Sequence, residues 1–128
     1  MFGKLKHLKT LLIDDDEFVR DSLRLMFESR ECVLLTAETA EEAIEVLAKQ
    51  EYDIIITDYK LPGMDGLELC RQIQKIHPRV MMILITAYSS QEVEEEANSI
   101  GVHELIEKPI TSETFESSLS RLFKKQFD

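Results

Sequence analysis

Three carboxylates follow two apolar segments of the chain, at positions where acids could act together. Asp14 and Asp15 come directly after Leu11 to Ile13, and Asp58 comes after Ile54 to Thr57. Converging carboxylates repel one another and disfavour their own ionisation unless a hard cation lies among them. Mg²⁺ is the natural candidate, because it accepts few carboxylates and completes its coordination with water and phosphate oxygens. These residues therefore indicate magnesium-dependent phosphoryl chemistry.

Two further polar residues also follow apolar segments. Thr86 comes after Met81 to Ile85, and its hydroxyl could donate a hydrogen bond to a phosphoryl oxygen. Lys108 precedes Pro109, which restrains the lysine backbone to an extended conformation. From this fixed backbone the ammonium could pair with phosphate or a carboxylate. Each residue also has a plainer interpretation, since threonine is a common strand residue and a lone lysine is usually solvated.

The elements that must position these residues are five apolar, β-branched segments, each followed by a segment of helical period. The five segments are Thr10 to Asp14, Cys32 to Ala37, Asp53 to Thr57, Val80 to Thr86 and Val102 to Glu107. This alternation predicts an α/β fold, a doubly wound five-stranded parallel sheet with helices on both faces. Ligands of such sheets bind outside the carboxyl ends of the strands, where Asp14, Asp15 and Asp58 are expected to converge.

The segment after Asp58 contains signals for a turn and a helix start. Pro62 and Gly63 predict a type II turn, and Asp65 with Glu68 predicts a capping box that opens the third of the five predicted helices. The apolar stripe of that helix is expected to face the core and consists of Leu69, Ile73 and Ile76. Pro78 is expected to end the helix.

Length and composition limit the possible functions. The 128 residues have the size of one domain, and the formal net charge of −10 argues against direct binding to nucleic acid or an anionic membrane. Cys32 and Cys70 lie in apolar segments without metal-ligand spacing, which favours buried reduced thiols in a cytoplasmic protein over a disulfide. The apolar run after the basic start is too short for a signal peptide or a membrane span.

Four motifs together resemble the receiver domain of two-component response regulators. They are an acidic pair after the first strand, Asp-x-x-x-Pro-Gly-Met-Asp-Gly after the third, Thr-Ala after the fourth and Lys-Pro after the fifth. The resemblance covers nearly the whole chain, as one receiver domain of residues 1–128 with a short N-terminal extension at 1–8. It implies the CheY-like, flavodoxin-like strand order 2-1-3-4-5. It also implies a protein that is not a conventional enzyme and catalyses only its own phosphorylation and dephosphorylation.

The resemblance implies a role for each site residue. Asp58 would be the phosphoacceptor, Thr86 would bind the phosphoryl group and Lys108 would pair with it. The Mg²⁺ ligands would be oxygen atoms of Asp14, Asp15, Asp58 and the backbone carbonyl of Lys60. A sensor histidine kinase or a histidine phosphotransfer protein would supply the phosphoryl group, and phosphorylation would shift a conformational equilibrium.

Some residues depart from the usual receiver pattern. Receivers usually carry an aromatic residue three positions before the lysine, where this chain has Leu105, so a switch formed by Thr86 and Leu105 would differ from the standard one. Lys60 and Tyr88 are similar to the residues of a stand-alone phosphorelay carrier, and they would lengthen the aspartyl phosphate lifetime by obstructing water. The chain ends soon after the last predicted helix, which leaves two possibilities: a stand-alone receiver, or one cut from a longer regulator. The downstream effector or output domain is unidentified.

Two further classes of protein remain open at this point. A flavodoxin-type binding module would share the fold, but it needs a hydroxyl-rich or glycine-rich phosphate loop where this chain has Asp14 to Asp16. A magnesium-dependent phosphatase with an aspartyl nucleophile would want that nucleophile and a second acid together after the first strand. Turnover of a phosphomonoester would favour the phosphatase, whereas stoichiometric labelling of Asp58 would favour the receiver.

Overall fold

The computed structural model describes residues 2–127, with side chains through residue 125. Helices and strands alternate in this range: α1 (Phe2–Leu5), β1 (Thr10–Ile13), α2 (Glu17–Glu28), β2 (Leu34–Ala37), α3 (Ala40–Lys49), β3 (Ile54–Asp58), α4 (Gly66–Ile76), β4 (Met81–Thr86), α5 (Gln91–Ile100), β5 (Glu104–Glu107) and α6 (Ser112–Phe127). The strands form one parallel sheet in the order β2-β1-β3-β4-β5, which confirms the predicted fold and strand order. In the part of the chain described, no helix combines the length and apolarity needed to cross a bilayer.

Helices cover both faces of the sheet. Every residue of β1, β3 and β4 is buried, as expected for central strands of a doubly wound sheet. Within β3, Ile55 belongs to the core cluster shared with α3, α4 and α5, whereas Ile54 and Ile56 belong to the cluster shared with α1, α2 and α6. Both faces of β3 are therefore held by packing, which fixes the backbone that leads into Asp58.

The turn and the N-cap between β3 and α4 form as the sequence predicted, but the capping box is incomplete, because the Glu68 carboxylate pairs with Arg71 at 3.6 Å and makes no described hydrogen bond back to Asp65. Gly63 has φ +79°, the left-handed conformation that position i+2 of a type II turn requires and that glycine adopts without steric cost. The Asp65 carboxylate accepts a hydrogen bond of 2.7 Å from the Glu68 N–H and caps α4. The helix ends at Ile76, two residues before Pro78, also as predicted.

The prediction for Ile76 was wrong, since 58% of this residue is exposed. Leu69 and Ile73 are buried as predicted, but Ile76 is the last residue of α4 and faces an open cavity at the amino ends of the strands, shared with Leu8 and Pro78. Helical period indicates which side of a helix is apolar, but it does not show where the helix passes the edge of the layer beneath it.

The N-terminal segment contains a helix that sequence analysis treated only as an extension. Phe2 and Leu5 of α1 are buried, and the Phe2 ring centroid lies 6.3 Å from that of Phe27 and 5.8 Å from that of Phe115. A helix of one turn is too short for its period to be read from sequence. Its packing connects the N-terminus to α2 and α6.

The strand and cysteine predictions hold with small changes. β2 begins at Leu34 instead of Cys32, and β5 begins at Glu104 instead of Val102. Cys32 and Cys70 are buried free thiols, as expected. Burial raises the pKa of the Cys70 thiol to about 12, which keeps it in the unreactive thiol form.

Candidate functional site

An acidic pocket lies at the carboxyl ends of β1 and β3. These strands are neighbours in the sheet, and Ile13 is in register with Thr57. Asp14 follows Ile13 and Asp58 follows Thr57, so the two acids lie side by side. One carboxylate oxygen from each of Asp14, Asp15 and Asp58 can be chosen so that all three lie within 4.8 Å of one another. Asp14 is fully buried, Asp58 is nearly so, and Asp15 is exposed. The structure therefore brings together the three acids that the sequence singled out.

Hydrogen bonds fix the backbone and one carboxylate oxygen of Asp14. Its N–H donates to the Ala37 carbonyl at 3.1 Å, and its Oδ1 accepts from the Asp16 N–H at 2.9 Å. The other oxygen, Oδ2, is buried and has no partner of hydrogen-bond geometry among the described residues. Asp14 thus directs into the pocket one carboxylate oxygen that makes no aligned hydrogen bond.

Lys108 brings the positive charge of the pocket. Its Nζ lies 3.2 Å from Asp14 Oδ2 and 3.3 Å from Asp58 Oδ2, close enough for an ion pair with each carboxylate. The Lys108 N–H donates to the Thr86 carbonyl at 2.8 Å, which ties the lysine backbone to the end of β4. The Lys108–Pro109 peptide bond is cis.

The charges of the pocket are not balanced, and the pKa values of its groups reflect this. Burial raises the pKa of Asp14 and of Asp58, and the negative charge of Asp14 raises that of Asp58 further, although Lys108 opposes both shifts. Burial disfavours the Lys108 ammonium, but the attraction of the two carboxylates outweighs it, so its pKa is also raised. A hard divalent cation would relieve the remaining repulsion.

The donor atoms of the pocket fit such a cation. Carboxylate oxygens are the ligands that Mg²⁺ and Ca²⁺ prefer in proteins. The buried Oδ2 of Asp14 is paired with the Lys108 ammonium at 3.2 Å but makes no aligned hydrogen bond among the described residues, so it can still coordinate a cation. The residues present therefore form an acidic pocket able to bind a metal ion.

The remaining predicted residues lie around this pocket with different exposures. Thr86 is buried, and its Oγ1 donates to the Tyr88 carbonyl at 2.9 Å and accepts from the Tyr88 N–H at 3.1 Å. Tyr88 itself is 83% exposed, and Lys60 is exposed, with a backbone N–H that lowers the pKa of Asp58. Leu105 is partly buried against the core cluster shared with α3, α4 and α5.

Two residues that sequence analysis left without a role also support the pocket. Arg20 donates from Nη1 to the Asp14 carbonyl oxygen at 2.9 Å. Gly66 packs so closely on β3 that a Cβ built at this position overlaps the carbonyl oxygen of Asp58, and its N–H donates to the Tyr59 carbonyl at 2.6 Å. In the sequence, Arg20 is visible as a long cationic residue in the helix after the acids, and Gly66 as a glycine after a helix cap. Neither feature indicates which atoms the residue contacts.

Comparisons with known proteins agree with this arrangement. A family model described as the response regulator receiver domain matches residues 10–120. Response regulator protein PilR of Pseudomonas aeruginosa is 32% identical over 80% of this chain and 23% of its own length. The uncharacterized transcriptional regulatory protein YesN of Bacillus subtilis is 33% identical over 89% of this chain and 32% of its own length. The chain thus spans only about a quarter to a third of these curated relatives.

Two solved structures share the fold over nearly their whole length. A CheY-like response regulator receiver domain protein from Methanospirillum hungatei superposes with a TM-score of 0.84 at 27% identity, covering 93% of this chain and 96% of that one. Chemotaxis protein CheY4 of Vibrio cholerae gives 0.84 at 25% identity, covering 90% and 98%. With the family model matched along most of its length and the acidic pocket in place, this chain belongs to the response regulator receiver domain family, whose members are signalling domains and not conventional enzymes.

Proposed function

We propose that this domain receives a phosphoryl group on Asp58 from a phosphohistidine of a sensor histidine kinase or a histidine phosphotransfer protein. The observation that carries the proposal is the position of the Lys108 ammonium, 3.3 Å from Asp58 Oδ2 and 3.2 Å from Asp14 Oδ2. A cation held between a nearly buried acceptor and a second acid is suited to neutralising charge on a transferred phosphoryl group.

In the proposed transfer, an Asp58 carboxylate oxygen forms the new bond to phosphorus. The phosphorus–nitrogen bond of the donor breaks, and the histidine nitrogen keeps its electron pair. The backbone of Asp58 stays fixed because β3 is buried on both faces and Gly66 packs on its carbonyl. Lys108 lowers the pKa of Asp58 against the effect of burial and so favours the ionised, nucleophilic carboxylate. Positioning and neutralisation supply most of the catalysis.

The acidic pocket would hold Mg²⁺ for this reaction. The proposed ligands are Asp14, Asp15, Asp58 and the backbone carbonyl of Lys60. When bound, Mg²⁺ would neutralise charge on the phosphoryl oxygens. The support for this proposal is the group of three carboxylate oxygens within 4.8 Å of one another and the burial of Asp14 and Asp58, whose carboxylates share the Lys108 ammonium.

Four residues are proposed to control the response and its duration. Thr86 would bind the phosphoryl group, and Leu105, partly buried on the next strand, would take the place of the usual aromatic switch residue. Lys60 and the 83% exposed Tyr88 would obstruct the water that hydrolyses the aspartyl phosphate. Their position two residues beyond Asp58 and Thr86 supports this role.

We further propose that residues 1–128 act as a single receiver domain in the cytoplasm, with residues 1–8 as its extension. The packing of Phe2 against Phe27 and Phe115 supports a role for the extension in the same core. The effector or output domain remains unassigned.

The proposed acceptor can be tested by intact mass after incubation with a small acyl phosphate and Mg²⁺. The wild-type chain should gain one phosphoryl group, and Asp58→Asn should gain none because an amide does not attack phosphorus. Asp53→Asn is a matched control just before the other end of β3, where the side chain only accepts from the Lys9 N–H, so its labelling should match wild type. A phosphoryl group retained by Asp58→Asn would place the acceptor elsewhere.

The proposed donor docks on an apolar groove beside Lys108. The groove has a volume of about 310 Å³ and is lined by residues of α2 and the β5–α6 connection, among them Val19, Met26 and Ile110. Phe18 borders it and is 78% exposed, which is unusual for a large apolar side chain. Because Lys108 lines the groove and also contacts Asp58, a donor protein bound there would lie close to the proposed acceptor.

Single exposed residues can test this surface. Phe18→Ser should slow phosphoryl transfer from a histidine kinase that labels the wild-type chain, yet leave labelling by the small acyl phosphate unchanged. Ile76→Ser removes a similarly exposed apolar side chain at the opposite edge of the sheet and should affect neither reaction. Equal kinase rates for Phe18→Ser and wild type would exclude the groove as the docking surface.

A further inference from the structure

We infer that Arg20 is a positioning residue for the acidic pocket, because it fixes the peptide that joins Asp14 to Asp15. The inference rests on the proposed function, in that it assigns the pocket to Mg²⁺. Arg20 lies in the first turn of α2 and reaches back over the loop that follows β1. Within the pocket it contacts the Asp14 backbone carbonyl.

The two ends of the Arg20 guanidinium have different partners. Nη1 donates to the Asp14 carbonyl oxygen at 2.9 Å, and Nη2 donates to Glu38 Oε1 at 3.0 Å. The Arg20 side chain is only 11% exposed, although that of Glu38 is 63% exposed. A largely buried, two-ended contact of this kind holds the guanidinium in one orientation. Arg20 thereby joins the loop after β1 to the loop after β2.

The bond from Arg20 completes the restraint of the Asp14 backbone. The Asp14 N–H already donates to Ala37, and its Oδ1 accepts from the Asp16 N–H. The carbonyl that Arg20 binds belongs to the next peptide, whose plane sets the direction in which Asp15 leaves the backbone. Asp15 is exposed and so owes its direction mainly to that peptide. Both proposed acidic ligands on this loop therefore depend on the Arg20 contact.

Two alternative roles for Arg20 predict different results. If Arg20 acted only through its charge, removing it would make the pocket more negative and strengthen the binding of a divalent cation. If Arg20 only tethered α2 to the sheet, its loss would lower stability and leave the affinity for Mg²⁺ unchanged. Of the three roles, only positioning predicts that loss of Arg20 weakens the binding of Mg²⁺.

Arg24 is a matched control one turn further along α2. Its Nη2 donates to Thr36 Oγ1 at 3.0 Å and its Nη1 to Asp21 Oδ1 at 3.0 Å, so it also joins the helix to the β2 side of the sheet. It makes no described hydrogen bond to Asp14. Arg20→Met and Arg24→Met each remove one guanidinium and keep an unbranched apolar stem.

The experiment measures Mg²⁺ binding to the full chain by titration calorimetry. Arg20→Met should bind Mg²⁺ about tenfold more weakly than wild type, which corresponds to about 1.4 kcal/mol, and Arg24→Met should stay within about twofold. Arg20→Lys keeps the charge but cannot reach both acceptors, so it should bind about threefold more weakly. Unchanged or tighter binding in Arg20→Met would overturn the inference. If Arg20→Met does not fold, an affinity of Arg20→Lys for Mg²⁺ equal to that of wild type would overturn the inference.

A second measurement needs no metal. In the Mg²⁺-free protein, the Asp16 amide should exchange its hydrogen faster in Arg20→Met than in Arg24→Met, because the loop that directs this amide to Asp14 Oδ1 has lost its restraint. Equal exchange would contradict the inference. Absence of Mg²⁺ binding in the wild-type chain would instead refute the proposed function, so the two failures are distinguishable.

Discussion

Replacing Lys108 by methionine would remove one positive charge from between two carboxylates. Its Nζ lies 3.2 Å from Asp14 Oδ2 and 3.3 Å from Asp58 Oδ2, and Asp14 is fully buried. Methionine keeps an unbranched apolar stem of similar length, so most of the packing is retained. The variant therefore tests mainly the charge.

The size of the effect follows from these distances and from burial. Two unit charges 3.2 Å apart attract by about 5 kcal/mol at an effective dielectric constant of about 20. Part of this attraction is offset by the cost of burying the ammonium, and removing one partner of a buried pair typically costs roughly 3 to 5 kcal/mol. Because the Lys108 side chain is 21% exposed, we expect the lower end, a loss of about 3 kcal/mol in unfolding free energy at neutral pH. For a domain of 128 residues, this lowers the melting temperature by about 10 °C.

The loss should depend on pH in a direction set by the two acids. Burial already raises the pKa of Asp14 and Asp58 in the folded state above the ordinary value of 3.8, and Lys108 partly opposes these shifts. Its removal would raise both pKa values further. An acid whose pKa is higher when folded destabilises the protein at higher pH, and this penalty disappears as the pH falls towards the unfolded value. The deficit of Lys108→Met should therefore shrink between pH 7 and pH 4 as both carboxyls become protonated.

Urea unfolding followed by circular dichroism, without divalent cations, at several pH values from 7 to 4 would measure this deficit. Lys6→Met is the control, because its Nζ lies 3.4 Å from Glu31 Oε2 and both side chains are exposed, at 45% and 83%, so it should cost less than about 1 kcal/mol. A deficit for Lys108→Met that is constant with pH, or no larger than that of Lys6→Met, would refute the reasoning.

Three further changes test the metal, the packing and the lifetime. Mg²⁺ at about ten times its Kd should raise the unfolding free energy by about 1.4 kcal/mol and the melting temperature by about 5 °C; an Asp14→Asn, Asp15→Asn double variant that kept this gain would refute the site. Gly66→Ala should cost about 2 kcal/mol or more in urea unfolding, because the new Cβ overlaps the carbonyl oxygen of Asp58, and wild-type stability would contradict the close approach. Lys60→Asn combined with Tyr88→Glu should speed decay of the aspartyl phosphate about tenfold; equal decay rates, followed by mass, would show that these residues do not control water access.

The sheet and the meeting of its acids were predictable because both depend on local sequence features. Each strand is an apolar, β-branched run, and parallel strands place the residues that follow them at one edge. Knowing where β1 and β3 end was therefore enough to place Asp14, Asp15 and Asp58 together. The turn at Gly63 and the cap at Asp65 were predictable for the same reason, since each depends on a few neighbouring residues.

The contacts of long side chains were not predictable from sequence. The position of Lys108 after a strand was visible, but its simultaneous approach to Asp14 and Asp58 depends on rotamers and on three separate loops. The hydrogen bond from Arg20 to the Asp14 carbonyl joins α2 to the loop before it. Such a contact produces no periodic pattern in the sequence from which it could be predicted. The exposure of Ile76 likewise depends on where α4 extends beyond its layer.

The present hydrogen bonds of Thr86 indicate how phosphorylation of Asp58 would reach the surface. The hydroxyl has one proton, and Oγ1 now donates it to the Tyr88 carbonyl at 2.9 Å. A hydrogen bond from Thr86 to a phosphoryl oxygen would use the same proton, so the two bonds exclude each other. The loop between β4 and α5 would then lose one of the two bonds by which Thr86 holds Tyr88. Because Leu105 is smaller than an aromatic ring and partly buried, the response in this chain would depend more on that loop than on the movement of a ring.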